Sequence, residues 1–137
     1  MAESLKQSPA GGCPCGSGAK YDACCGRYHH GELPARAEQL MRSRYSAFVL
    51  QLEPYLLQSW ASDTRPASLD LSADDGVKWL GLQVLATTGG AEGDDSGTVE
   101  FVARYKVGGR AYRLHETSRF RREDGAWRYI DGDLHEG

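Results

Sequence analysis

Beyond Cys25 the 137-residue chain has no cysteine, so disulfide bonds cannot staple the bulk of it. No segment approaches the ~20 consecutive apolar residues that a membrane span needs. Residues 1–12, MAESLKQSPAGG, lack the basic-then-apolar order of a secretory signal and read as a flexible N-terminus. A cytoplasmic location is the expectation, with no membrane among the partners. Positive charge is also short: Lys and Arg number 16 against 19 Asp and Glu, for a net charge of −3. No global field draws such a protein to nucleic acid, and any basic patch must be local. The chain shows no glycine-rich phosphate loop, no Ser-His-Asp arrangement and no second cluster of metal ligands. What it has is 40% hydrophobic and 26% charged residues, the balance of an ordinary soluble globular protein. Its length suits one core-bearing domain plus an appendage, because chains of this size bury roughly two-thirds of their unfolded surface.

All four cysteines fall in CPCGSGAKYDACCG, residues 13–26. Thiols gathered this closely in a reducing compartment point to a metal rather than to bridges. Cys13, Cys15, Cys24 and Cys25 are the expected ligands of one zinc ion, since zinc takes four soft donors tetrahedrally and the intervening loop must turn sharply to deliver them. Gly16, Ser17 and Gly18 supply the turn, and Gly26 is expected to serve similarly after the second pair. Lys20 and Arg27 are close enough to offset the excess negative charge. The segment is too short and polar to build a core, so the ion would supply the free energy that orders it. Three other readings stay open: a strained Cys24–Cys25 disulfide, a redox or catalytic thiol, and His29 or His30 replacing Cys25 as the fourth ligand.

The remainder reads as α+β. Ala37, Met41, Tyr45, Phe48 and Leu52 recur at helical spacing and predict an amphipathic helix over 35–52. Glu53-Pro54 interrupts it and opens a short second helix over 55–60. Residues 61–76 read as a loop with a possible N-cap at Ser72. Strands are predicted over 79–87, 98–107, 110–121 and 127–131. The turn signals Gly108-Gly109 and Asp124-Gly125 join the last three into an antiparallel meander.

Alternation puts Val99, Phe101, Ala103 and Tyr105 on one face, with Leu114, Glu116 and Phe120 on the matching face of the next strand. His115 falls on the opposite, solvent face. Glu116 is the anomaly, because a carboxylate among apolar side chains must be paired, hydrogen-bonded or protonated. Trp127, Tyr129 and Asp131 alternate together and bring a second carboxylate to the same side. Arg44 lies about 60° from the middle of the helical stripe and is the expected partner of Glu116, with Tyr45 or Tyr105 extending the pair.

The cysteine segment resembles the SEC-C zinc motif, known from the tail of the SecA translocation ATPase. Together with LMRSRYSAFVL, WLGLQVL, FVARY, HETSRF and WRYIDG, it makes the chain similar to the YchJ-like family of small bacterial proteins. That resemblance implies a SEC-C motif over 13–30 and, over 31–137, a domain of the nuclear transport factor 2-like (NTF2-like) fold: helices packed on a curved four-stranded antiparallel sheet that forms a cone. Two functions follow as expectations. In the first, the zinc knuckle docks on a protein partner, an acidic one if Lys20, Arg27, Arg36, Arg42 and Arg44 form a local basic surface. In the second, the cone holds a small ligand or an active site. There Glu116 or Asp131 is the acid/base and Tyr45, Tyr105 or Tyr129 the hydrogen-bond donor, with Arg44 beside them.

Overall fold

Four positive φ angles close two of the three hairpins. Gly108 (60°), Gly109 (83°), Asp124 (53°) and Gly125 (83°) all sit where a two-residue turn of the primed type requires them. The computed structural model describes residues 12–69 and 77–135, so the expectations for the first eleven residues and for Ser72 lie outside it. Its strands are β1 (Val77–Gly89), β2 (Ser96–Val107), β3 (Arg110–Glu123) and β4 (Ala126–Leu134). They form one antiparallel sheet in the order β1-β2-β3-β4, the expected meander.

Simple alternation does not run the length of this sheet. Between β1 and β2 the register shifts at Trp79/Gly81 and again at Val84/Ala86. The skipped residues, Leu80 and Leu85, are both exposed. Extra residues on one strand bend it and raise its twist, which curves the sheet around the helices. A third shift places Arg119 opposite Asp131 but Phe120 opposite Tyr129, leaving Ile130 unpaired on β4.

Among the described residues, a 3-10 turn (Tyr21–Ala23) and three α-helices precede the sheet: α1 (Cys25–His29), α2 (Ala37–Leu50) and α3 (Glu53–Gln58). The Gln39 side-chain carbonyl accepts from the backbone N–H groups of Ala35 and Arg36 at 2.9 and 3.0 Å, satisfying donors that the start of α2 leaves without helical partners. Ala37 N–H donates to Gly90 O at 2.9 Å and ties that helix end to the β1–β2 loop. Pro54 stands in the first turn of α3, where its missing N–H costs nothing. After α3 the chain joins β4 through Ala61 N–H to Tyr129 O (2.7 Å) and Tyr129 N–H to Ser59 O (2.9 Å).

Helix α2 is buried over much more than the predicted stripe. Met41 and Tyr45 are buried, but so are Ser43, Arg44, Ser46 and Ala47. The helix lies between the sheet and the cysteine segment, which occupies what reads in the sequence as the polar side. Cys13, Cys15 and Cys25 belong to the same core as Leu40, Met41, Tyr55, Phe120 and Trp127. The cysteine segment is therefore packed into the domain rather than appended to it.

Candidate functional site

The cysteine loop closes on itself before it meets the rest of the chain. Cys13 N–H donates to Ala19 O at 2.8 Å and Gly16 N–H to Cys13 O at 3.0 Å, while Gly16 and Gly18 take φ of 80° and 91°. The turn delivers Cys13 and Cys15, and α1 delivers Cys25 from its first position with Cys24 just ahead of it. The four sulfurs lie within 4.8 Å of one another, and all four cysteines are free thiols, so there is no Cys24–Cys25 disulfide. Cys13, Cys15 and Cys25 are at most 1% exposed, with Cys24 at the rim. Ser46 Oγ of α2 approaches Cys13 Sγ at 3.5 Å, and Ser17 Oγ approaches Cys24 Sγ at 3.1 Å.

Sulfurs this close cannot all ionise unaided. Hydrogen bonds from Cys15 and Cys25 draw the Cys13 thiol far below its ordinary value. The same contact with Cys13 pushes Cys15 up to about 11 and Cys25 upward as well. A cation at their centre is what lets four such groups carry charge together, and a buried set of soft donors fits a metal ion.

His29 is near this cluster but stands outside the group of four sulfurs. Its Nε2 lies 2.8 Å from the Ser43 carbonyl, which can only accept, so Nε2 carries the proton and Nδ1 accepts from Tyr21 Oη at 2.6 Å. Both ring nitrogens are thus engaged in holding α1 to α2. His30 is exposed. Gly26 corrects a second expectation. It is helical rather than a turn residue, and a Cβ there would sit 2.8 Å from the Tyr21 ring, so its role is to let Tyr21 close over α1 and reach His29. The charge at the cluster also differs from expectation. Arg27 reaches the Cys24 carbonyl at 3.3 Å, but the more buried cation is Arg42, which donates to Cys15 O at 3.2 Å and to Glu38 at 3.0 Å.

On the other side of α2, helix and sheet enclose a cavity of about 390 Å³. Tyr45, Phe48, Trp79 and Tyr105 form an aromatic wall: Trp79 stands edge-on to Tyr45 with ring centres 5.6 Å apart and lies 5.4 Å from Tyr105. Arg44, Trp60, Glu116, Ser118 and Tyr129 make the polar part of the lining. The structure therefore brings Arg44, Tyr45, Tyr105, Glu116 and Tyr129 to one cavity.

The pairing inside it is not the expected one. Arg44 Nη1 donates to Leu56 O and to Ser59 Oγ, both at 2.7 Å, and its guanidinium lies 4.5 Å from the Tyr129 ring centre and 5.0 Å from that of Trp60. Glu116 accepts from Ser118 Oγ at 2.8 Å and from Tyr129 Oη at 3.4 Å. Tyr129 thus links cation to carboxylate through its ring and its hydroxyl, in the place assigned to Tyr45 or Tyr105. Desolvation pulls the Arg44 guanidinium down to about 10, partly opposed by nearby groups that include Glu116, and it remains cationic at neutral pH. Burial, reinforced by Glu116, pushes Tyr129 up to about 12 and keeps it a donor.

Asp131 lies outside the cavity. The extra residue at Ile130 resets alternation, so Asp131 points to the other face and pairs with Arg119 at 2.6 Å. Sequence reading also missed Gly132. A Cβ at Gly132 would collide with the Glu116 carboxylate, so the bare backbone there makes room for that side chain. A glycine inside a strand pattern was the available signal.

Two family profiles match the chain: the one described as "YchJ, middle NTF2-like domain" over residues 36–132, and the SEC-C motif over residues 12–27. A UPF0225 protein of Bordetella pertussis is 53% identical over 135 residues, covering 95% of this chain and 99% of that protein. One from Chromobacterium violaceum is 56% identical over 133 residues, covering 95% and 97%. A solved SEC-C motif containing protein from Rhodopseudomonas palustris superposes with a TM-score of 0.78 at 35% identity, covering 90% of this chain and 98% of that one.

Proposed function

The chain belongs to the YchJ family, a SEC-C motif joined to an NTF2-like domain, and from that premise we propose that it is a zinc-stapled protein that binds a small organic molecule in its cone. Four thiolates complete the tetrahedral shell that zinc prefers and leave no open position for substrate, so the ion is structural. The observation that carries the binding role is the aromatic cavity with a buried cation at its lining. Apolar walls with a few convergent polar groups are the usual composition of a ligand site. Arg44 and the Trp60 Nε1–H, which is buried without a partner among the described residues, favour a ligand with an acceptor group on a flat or aliphatic body. Glu116, held by Ser118 and Tyr129, orients the Tyr129 hydroxyl. With Asp131 outside, Glu116 is the one of the two acid/base candidates that lines the cavity.

Native mass spectrometry of freshly isolated protein, followed by titration with aromatic and aliphatic carboxylates and ketones under Trp60 and Trp79 fluorescence, tests this reading. Loss of a charge-assisted hydrogen bond predicts that Arg44→Met weakens binding by about tenfold or more. Failure of every compound at millimolar concentration, or binding unaltered in Arg44→Met, would overturn it.

Docking of the metal segment on a protein is the second reading, favoured by the exposure of Gly16 to Lys20 above the buried sulfurs. The basic surface that suggested an acidic partner is thinner than expected, because Arg44 is interior and Arg42 is paired with Glu38. Pull-down with zinc-loaded and Cys24→Ser protein, compared side by side, tests that reading; equal recovery of partners by both forms would discard it.

A further inference from the structure

A second constellation lies on the face of the sheet turned away from the cavity. Glu100 on β2, His115 on β3 and His135 just beyond β4 place one ligand atom each within 4.8 Å of the others. Backbone pairing explains the convergence. Thr117 is opposite Glu100, which puts His115 on the diagonal from that carboxylate, and His135 N–H continues the ladder by donating to His115 O at 2.8 Å. The imidazoles stack with ring centres 4.3 Å apart, and Glu100 Oε2 lies 2.7 Å from His115 Nε2. The neighbouring carboxylates Asp131 and Asp133 are taken by Arg119 at 2.6 and 2.7 Å.

We propose that Glu100, His115 and His135 form a site for a divalent transition-metal ion, separate from the cysteine cluster. Two imidazoles and one carboxylate make a borderline donor set that suits zinc, cobalt or nickel better than calcium or magnesium. Bonds of about 2.0 to 2.1 Å put neighbouring ligand atoms about 3.0 to 3.4 Å apart, so the Glu100–His115 contact opens by well under 1 Å, and the stacked imidazoles, 24° between planes, turn out of their stack to aim both nitrogens at one ion. Thr117 Oγ1 lies 2.7 Å from His135 Nε2. An ion on Nδ1 keeps that contact as an orienting bond, and one on Nε2 replaces it. Three protein ligands leave the remaining positions to water, in contrast to the closed shell of four sulfurs.

The site escapes sequence reading because its members come from two strands and the residue that follows a third, and share no local spacing. Its test is titration of zinc-loaded protein with Co2+, followed by absorption and calorimetry. The expected result is one further equivalent, with weak d–d absorption and no thiolate charge-transfer band, bound at least about tenfold more weakly in His115→Gln and in His135→Gln, since losing a direct ligand costs no less than losing an outer contact. His135→Gln lies at the sheet's edge and should leave the melting temperature unchanged. Absence of a second equivalent, a thiolate band, or undiminished binding in both variants would overturn the proposal.

Discussion

The cysteine cluster and the cone cavity flank the same helix and are assembled in opposite ways. The cluster draws its four donors from residues 13–25, and a short turn and the start of α1 suffice to converge them. The cavity draws on α2, the segment after α3 and all four strands, and no short stretch contains it. Yet α2 serves both: Arg42 and Ser46 face the sulfurs, while Met41, Arg44 and Tyr45 face the cavity. A local site built into a core thus sets the wall of a non-local one, and disturbance of the first should reach the second.

The strongest way to break the comparison is Cys25→Ser. That position is buried at the junction of cluster and core, and the substitution is expected to abolish metal binding and lower the melting temperature by more than about 10 °C, measured by elemental assay and calorimetry. A protein that loses its ion yet melts unchanged would show the two regions to be independent. Gly132→Ala acts from the cavity side alone. The added methyl pushes the flexible end of Glu116 away from Ser118 and Tyr129, at a cost of about 1 to 1.5 kcal/mol in denaturant unfolding for the lost hydrogen bonds, with metal content intact. Tyr129→Phe removes one hydroxyl bond to Glu116 but keeps the ring under Arg44, so about 1 kcal/mol is expected by the same assay.

The mildest test concerns the joint between α1 and α2. Desolvation holds His29 below its ordinary value, and the bond to the Ser43 carbonyl offsets this only in part. The unfolded chain binds that proton near pH 6.5, so the stability His29 contributes is whole above that value and is lost as pH falls below it. In zinc-saturated protein, melting temperature between pH 7 and pH 5 should fall more steeply for the parent than for His29→Gln; equal slopes would remove His29 from the account.

Much of this was legible because local chemistry dictated it. Cys-x-Cys followed by Cys-Cys needs only a tight turn, and Gly-Gly and Asp-Gly specify hairpins whatever surrounds them. Arg44 and Glu116 stood out as charges on apolar faces, which led to the cavity. What stayed hidden depended on register. Ile130 carries nothing that announces an extra residue, so alternation misplaced Asp131. Ser43 and Ser46 lie off the predicted apolar stripe, and their covering, the cysteine segment, is outside the helix's own pattern. Glu100, His115 and His135 meet only once three strands are aligned.

The central claim is that metal segment and cone form one cooperative unit, and thermal unfolding of metal-loaded and chelator-treated protein tests it most directly. Far-UV dichroism, which reports the sheet, and Trp79 fluorescence, which reports the cavity, should share a single transition that moves down together when the ion is stripped. A cone transition that stays in place while only the N-terminal segment loses order would contradict it.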